Sequence, residues 1–162
     1  MSDPRNPAIL VASCGNIMAG DDAFGPQVTG LLRRRPLPPA VRVIDLDIRP
    51  TALLEYLAGQ ESLILVDAAV SARHRPGTLL CVDWFAGDRP QLVHDDALST
   101  HGLSLGHQLE LAAALQTLPE KVTLVALIAE PADIGDAACY VRPESREAAV
   151  ACIQKLIGND HA

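Results

Sequence analysis

Apolar and polar positions alternate in blocks along this chain, and the blocks change period. AILVAS (8–13), SLILVDAAV (62–70) and KVTLVALIA (121–129) are continuous apolar runs of strand length. Such runs suit strands covered on both faces. VRVIDLDI (41–48) and RPGTLLCVDW (75–84) are less uniform and read as a second and a fourth strand. Between them lie segments of helical period. DAFGPQVTGLLRRR opens at Asp22 and tolerates Pro26 in its first turn, where a missing N–H has no partner to lose. TALLEYLAG (51–59) reads as a short helix with Thr51 as N-cap and Gly59 as its stop. HGLSLGHQLELAAALQTL (101–118) carries apolar residues at helical spacing, with Thr100 as the cap. PESREAAVACIQKLI (143–157) opens on Pro and acids and closes with Lys155 and Gly158.

Strands alternating with helices predict a three-layer α/β/α sandwich around a mixed, mostly parallel five-stranded sheet. The three apolar runs are its expected central strands. The fourth strand follows the third with no room for a crossover helix, so it is expected antiparallel. The 162 residues suit one domain over 1–162, with 1–7 as a flexible tail.

Composition narrows the function. The formal charge of −7 argues against nucleic-acid partners and anionic membranes. The one basic run, Arg33-Arg34-Arg35, reads as a solvated helix end. No apolar run is long enough to span a bilayer, and the N-terminus lacks a signal-like pattern, so a cytoplasmic protein is expected. Cys14, Cys81, Cys139 and Cys152 form no CxxC pair, and Cys14 and Cys81 read as small core residues.

The stretch GNIMAGDDAFG (15–25) follows the first strand. Gly15 and Gly20 have the spacing of a phosphate loop, but Asp21 and Asp22 stand where that loop needs Lys and Ser or Thr. Carboxylates repel phosphate and attract cations, which speaks against a nucleotide-binding domain. In an open α/β sheet functional groups gather at the carboxyl ends of strands, near a topological switch point. If the second strand lies outside the first, Asp22 and Asp67 face one crevice, and a loop carrying His101 reaches the same edge. Two carboxylates and an imidazole suit a borderline divalent cation such as nickel or zinc. Each residue also has an ordinary role open to it: Asp22 as a helix cap, Asp67 bonded to loop amides, His101 at a helix start. His94 with Asp95 and Asp96 is a rival cluster in a polar loop (85–97), and His107 is off the helical face of His101. HExxH, GxSxG and GxGxxG are absent.

GNIMAGDDAFGPQV, with Gly15, Asn16, Asp21, Asp22 and Gly25, resembles the N-terminal signature of the nickel–iron hydrogenase maturation endopeptidases. LILVDAAVSARHRPGTL resembles the second signature, and LSTHGLSL the third. The resemblance runs from about residue 8 to 157. It implies removal of a C-terminal extension from a hydrogenase large-subunit precursor after nickel insertion. It also implies that Asp22, Asp67 and His101 are the metal-binding and catalytic residues; Asp21, beside them, is a candidate supporting residue behind the ligands or a proton acceptor. The nickel would be carried by the precursor, with no tightly bound metal in the isolated protein. One segment departs from the family: relatives place a glycine- and threonine-rich turn where this chain has DLDIRP (45–50). Asp45, Asp47 and Arg49 are therefore the candidates for substrate contact. The competing class is a nickel-sensing or chaperone partner that binds the precursor without cutting it.

Overall fold

The computed structural model describes residues 7–15, 23–87, 90–92, 105–129 and 141–160. Five strands lie in the order β2-β1-β3-β6-β4: β1 Ile9–Ser13, β2 Val41–Asp45, β3 Ser62–Val70, β4 Leu79–Asp83 and β6 Lys121–Ile128. A two-residue strand, β5 Gln91–Leu92, adds to the far end of β3. β1, β2, β3 and β6 are mutually parallel. The three apolar runs do occupy the centre, because β1, β3 and β6 are covered on both faces. β4 is antiparallel as expected, but its partner is β6, not the β3 that precedes it. The polar stretch 85–97 was expected to be loop throughout, yet it contains β5.

Four helices cover the faces: α1 Phe24–Leu32, α2 Leu53–Tyr56, α3 Leu105–Ala114 and α4 Pro143–Asp160. Strand pleating splits the core into two clusters. Leu10, Ala12, Leu63, Leu65, Leu124 and Ala126 meet Leu53 of α2 and Leu105 and Leu109 of α3. Ile9, Val11, Ile64, Val66, Val125 and Leu127 meet α1 and α4. The side chains alternate because successive Cβ atoms point to opposite faces. This is the three-layer sandwich. Among the described residues no helix is long and apolar enough to cross a membrane.

Several helix boundaries differ from the sequence expectation. Thr51 is not a cap: Pro50–Ala52 form a 3-10 turn led by Pro50, and Ala52 takes the N-cap of α2 without a side-chain bond. Gly59 does not end α2 directly. The helix stops at Tyr56, and Gln60 closes it by donating to Tyr56 O and accepting from Ala58 N–H, both at 2.8 Å. Gly59 supplies the left-handed residue (φ 85°) of the turn behind. The described part of α3 ends at Ala114, where Gln116 turns left-handed (φ 58°) and the N–H groups of Thr117 and Leu118 both return to Ala112 O. Gly158 does not stop α4, because Ile157 is still docked in the core and Asp160 bonds Lys121 at 2.8 Å. Cys81, expected in the core, is exposed, since β4 is an edge strand with one flank open. Cys14 is buried as expected. The arginine run lies in solvent, and Arg35 pairs with Glu147 at 2.8 Å.

Candidate active site

The order β2-β1-β3 makes the gap between β1 and β3 a switch point. The chain leaves β1 toward β2, and leaves β3 toward β6 on the other side. Ligands of open α/β sheets bind outside the carboxyl ends of strands at such a place. β1 ends at Ser13, level with Val66 of β3. The next β3 residue is Asp67, so it stands just past the lip where β1 gives way to the glycine-bearing turn. β3 runs on past it to Val70, the full length of the apolar run, because β6 pairs with it up to Ala69.

Asp67 is 0% exposed. One of its carboxylate oxygens accepts the N–H of Ala68 at 2.8 Å. By strand alternation it shares a face with Leu63, Leu65 and Ala69, the face covered by α3. Burying an ionised carboxylate is expensive unless it is hydrogen-bonded, paired or coordinated. A carboxylate in that setting, at a switch point, is a candidate for chemistry more than for packing.

The first turn of α1 closes the other side of the crevice. A Cβ built on Gly25 would lie 2.6 Å from both Cys14 O and Val66 O. Only a glycine lets the helix start press against the ends of β1 and β3 together. Ala23 holds the N-cap position of α1, with no side-chain bond. Below it the Thr29 hydroxyl meets Ser13 Oγ at 2.9 Å, tying helix to strand.

The DLDIRP segment is bound tightly to the end of β1. Leu46 N–H donates to Ser13 O, Gly15 N–H to Asp47 O at 2.9 Å, and the Cys14 thiol to Asp47 O at 3.3 Å. The Asp45 carboxylate accepts from Asp47 N–H at 2.8 Å and from Ser13 Oγ at 3.3 Å. Asp47 takes φ 54°, a conformation that glycine adopts more readily and that Asp tolerates better than most residues. The Asp45 carboxylate thus pins the left-handed Asp47 to the end of β1. The side chains of Asp47, Ile48 and Arg49 point away from this network and are exposed, Ile48 by 62%.

Comparison with known proteins places this fold in a family. A family model described as hydrogenase maturation protease matches residues 26–159. The chain belongs to the hydrogenase maturation proteases. The hydrogenase 2 maturation protease of Escherichia coli (strain K12) is 32% identical over 123 residues, 75% of this chain and 73% of that protein. The structure titled hydrogenase maturating endopeptidase HybD from E. coli superposes with a TM-score of 0.74 at 28% identity, covering 94% of this chain and 93% of that one. The [NiFe] hydrogenase maturation protease HybD from Thermococcus kodakarensis gives 0.68 at 19% identity over 92% and 98%, a likeness of fold.

Of the residues expected to form the protease's site, Asp67 is placed at the switch point. Asp21, Asp22 and His101 lie outside the described residues, as do His94, Asp95, Asp96 and Thr100. Their described flanks converge on one edge. Gly15 and Ala23 bracket the first segment there. α3 packs on the Asp67 face and must run antiparallel to β6, which it feeds, so its start at Leu105 lies toward the same carboxyl edge. Among the described residues no three His, Cys, Asp or Glu side chains gather as a metal site. Sequence reasoning did not single out Ile48, whose exposure shows only once the β2 end is folded. It named Gly25 as a signature residue without its reason, which is the close approach to two carbonyls. It also read 85–97 as one polar loop. Instead Phe85 follows the end of β4 that pairs with the start of β6, at the opposite edge, while β5 lies at the crevice edge.

Proposed function

We propose that this protease removes the C-terminal extension of a nickel–iron hydrogenase large-subunit precursor after nickel insertion. In this reading Asp22, Asp67 and His101 engage the nickel that the precursor carries. The metal is part of the substrate, and the isolated protein holds none tightly. The observation that carries the reading is a fully buried carboxylate, Asp67, at the β1/β3 switch point of a chain in this family. Carboxylates and imidazole are suitable donors for nickel. Nickel held there would bring the adjoining peptide bond to the crevice, with Asp21 beside it as proton acceptor. Asp47, Ile48 and Arg49 offer an exposed apolar and charged border for the precursor. Asp45 supports that border through its bonds to Asp47 N–H and Ser13. The reaction belongs in the cytoplasm, where the precursor is assembled.

Family membership favours cleavage over a sensor that binds without cutting. The test is a cleavage assay on the nickel-loaded precursor, read by intact mass beside a nickel-free precursor. Loss of a C-terminal peptide from the loaded form alone is the expected result. Binding without loss of mass would remove the endopeptidase reading, and cutting of both forms would remove the nickel check.

A further inference from the structure

Two cysteines that the protease reaction does not use meet on the far side of the sheet. Pleating turns Leu80 and Val82 of β4 toward the α2/α3 layer and Leu79 toward the α1/α4 layer. Cys81 therefore faces α4. On α4, Cys152 is half-buried against the same layer. Leu156, one turn further along, lines a cavity of about 400 Å³ together with Cys81. α4 packs directly on β4, and Cys81 and Cys152 are electrostatic neighbours across that contact. Cys81 is exposed on the edge strand, whereas Cys14 is buried and donates to Asp47 O.

We propose that Cys81 and Cys152 form a dithiol oxidation site that closes to an intramolecular disulfide when it meets a low-molecular-weight disulfide such as glutathione disulfide. The Cys81 thiolate attacks one sulfur of the oxidant, forming a mixed disulfide and releasing one thiolate. Cys152 then loses its proton and attacks the Cys81 sulfur, expelling the second thiolate. The protein loses two hydrogens, and the oxidant is reduced to two thiols. Exposure makes Cys81 the entry point, because the attacking group must be reached as well as ionised. Burial first, then the neighbouring Cys81 thiol, pushes the Cys152 thiol of the reduced protein up to about 12, so Cys152 is the resolving rather than the attacking group. The new bond ties the last helix to an edge strand that otherwise has one neighbour. Cross-links between segments distant in sequence constrain the unfolded chain most.

The test treats the whole protein with glutathione disulfide in mildly alkaline buffer, blocks remaining thiols, and reads intact mass and mapped peptides. The wild-type chain is expected to lose two hydrogens and yield one linked pair joining 81 and 152. Its Tm should rise by about 5–10 °C, reversibly with reductant. Cys152→Ser is expected to stop at a single glutathione adduct on Cys81, and Cys81→Ser to form no link. A wild-type protein that keeps the adduct on Cys81 without closing, links Cys14 or Cys139 instead, or does not react overturns the proposal. That wild-type result stands whether or not either variant folds.

Discussion

At the carboxyl edge of the parallel strands Asp67 is wholly buried on β3, while at the amino edge a half-buried Asp160 meets a Lys121 that is largely in solvent. Both are aspartates with a nitrogen at 2.8 Å, yet they stand for different things. Exposed ion pairs add little to stability, since water already solvates both charges. The hydrogen bond to Asp160, and then its charge, raises the Lys121 pKa, and nothing further follows from that pair. A buried carboxylate carries a desolvation penalty that packing alone gives no reason to keep. At the same carboxyl edge Gly25 presses on two carbonyls and Asp47 turns left-handed.

The contrast breaks most readily at Asp67. Asp67→Asn keeps the shape and removes the charge. Cleavage of the loaded precursor is expected to fall by at least about 100-fold, with Tm nearly unchanged; outer partners of metal ligands alone cost 10–100-fold. A fall in Tm with activity intact would make Asp67 a packing residue. Next comes Gly25→Ala, whose methyl group meets backbone on both sides. It should destabilise by about 1–3 kcal/mol in urea titrations. Gly30→Ala, in the same helix with open space around it, should instead stabilise by about 0.5–1 kcal/mol. Equal responses at the two glycines would mean that the close approach is not what Gly25 is for.

A smaller effect belongs to the α4 layer. The Cys152 pKa is raised from 9.0 to about 12, so the folded state holds its proton where the unfolded state releases it. Stability is therefore full below about pH 9 and declines as pH rises toward 12. Melting curves across that window should show a steeper decline for the reduced wild-type chain than for Cys152→Ser. Smallest of all is Lys121→Ala at the amino edge, for which the urea midpoint should stay within measurement error. A clear loss there would erase the distinction between the two edges.

Much of this architecture is readable from residue order. SLILVDAAV is apolar on both faces, which only a covered central strand satisfies, and that put Asp67 in the sheet before any coordinate did. The short link between β3 and β4 rules out a parallel pairing. It does not say which strand β4 joins, because β6 arrives later in the chain and competes for the same edge. The same uncertainty hid the exposure of Cys81: LLCVD has the pattern of a core strand, and only its place at the border opens one flank. Helix ends were legible where Pro leads, as at Pro143, and misread where side chains such as Gln60 close the turn from outside. At the site, Asp67 and the binding of DLDIRP to β1 are now explained by contacts. The role of Asp45 could not be read from sequence, since it depends on Ser13 and Asp47 meeting across two strands.

The pairing order also sets a timetable for synthesis. β4 leaves the ribosome well before β6, its partner in the sheet among the described residues, has been made. Central β3 likewise waits for β6 along one whole side, and α4 emerges later still. A nascent chain cut short before residue 128 has an unpaired strand, a half-built sheet and one bare apolar face. Distant pairings of this kind form slowly, and open strand edges invite other chains. This protein that finishes another protein's maturation therefore reaches its own native state only once β6 and α4 have been made, and it is during translation that it most needs protection from aggregation.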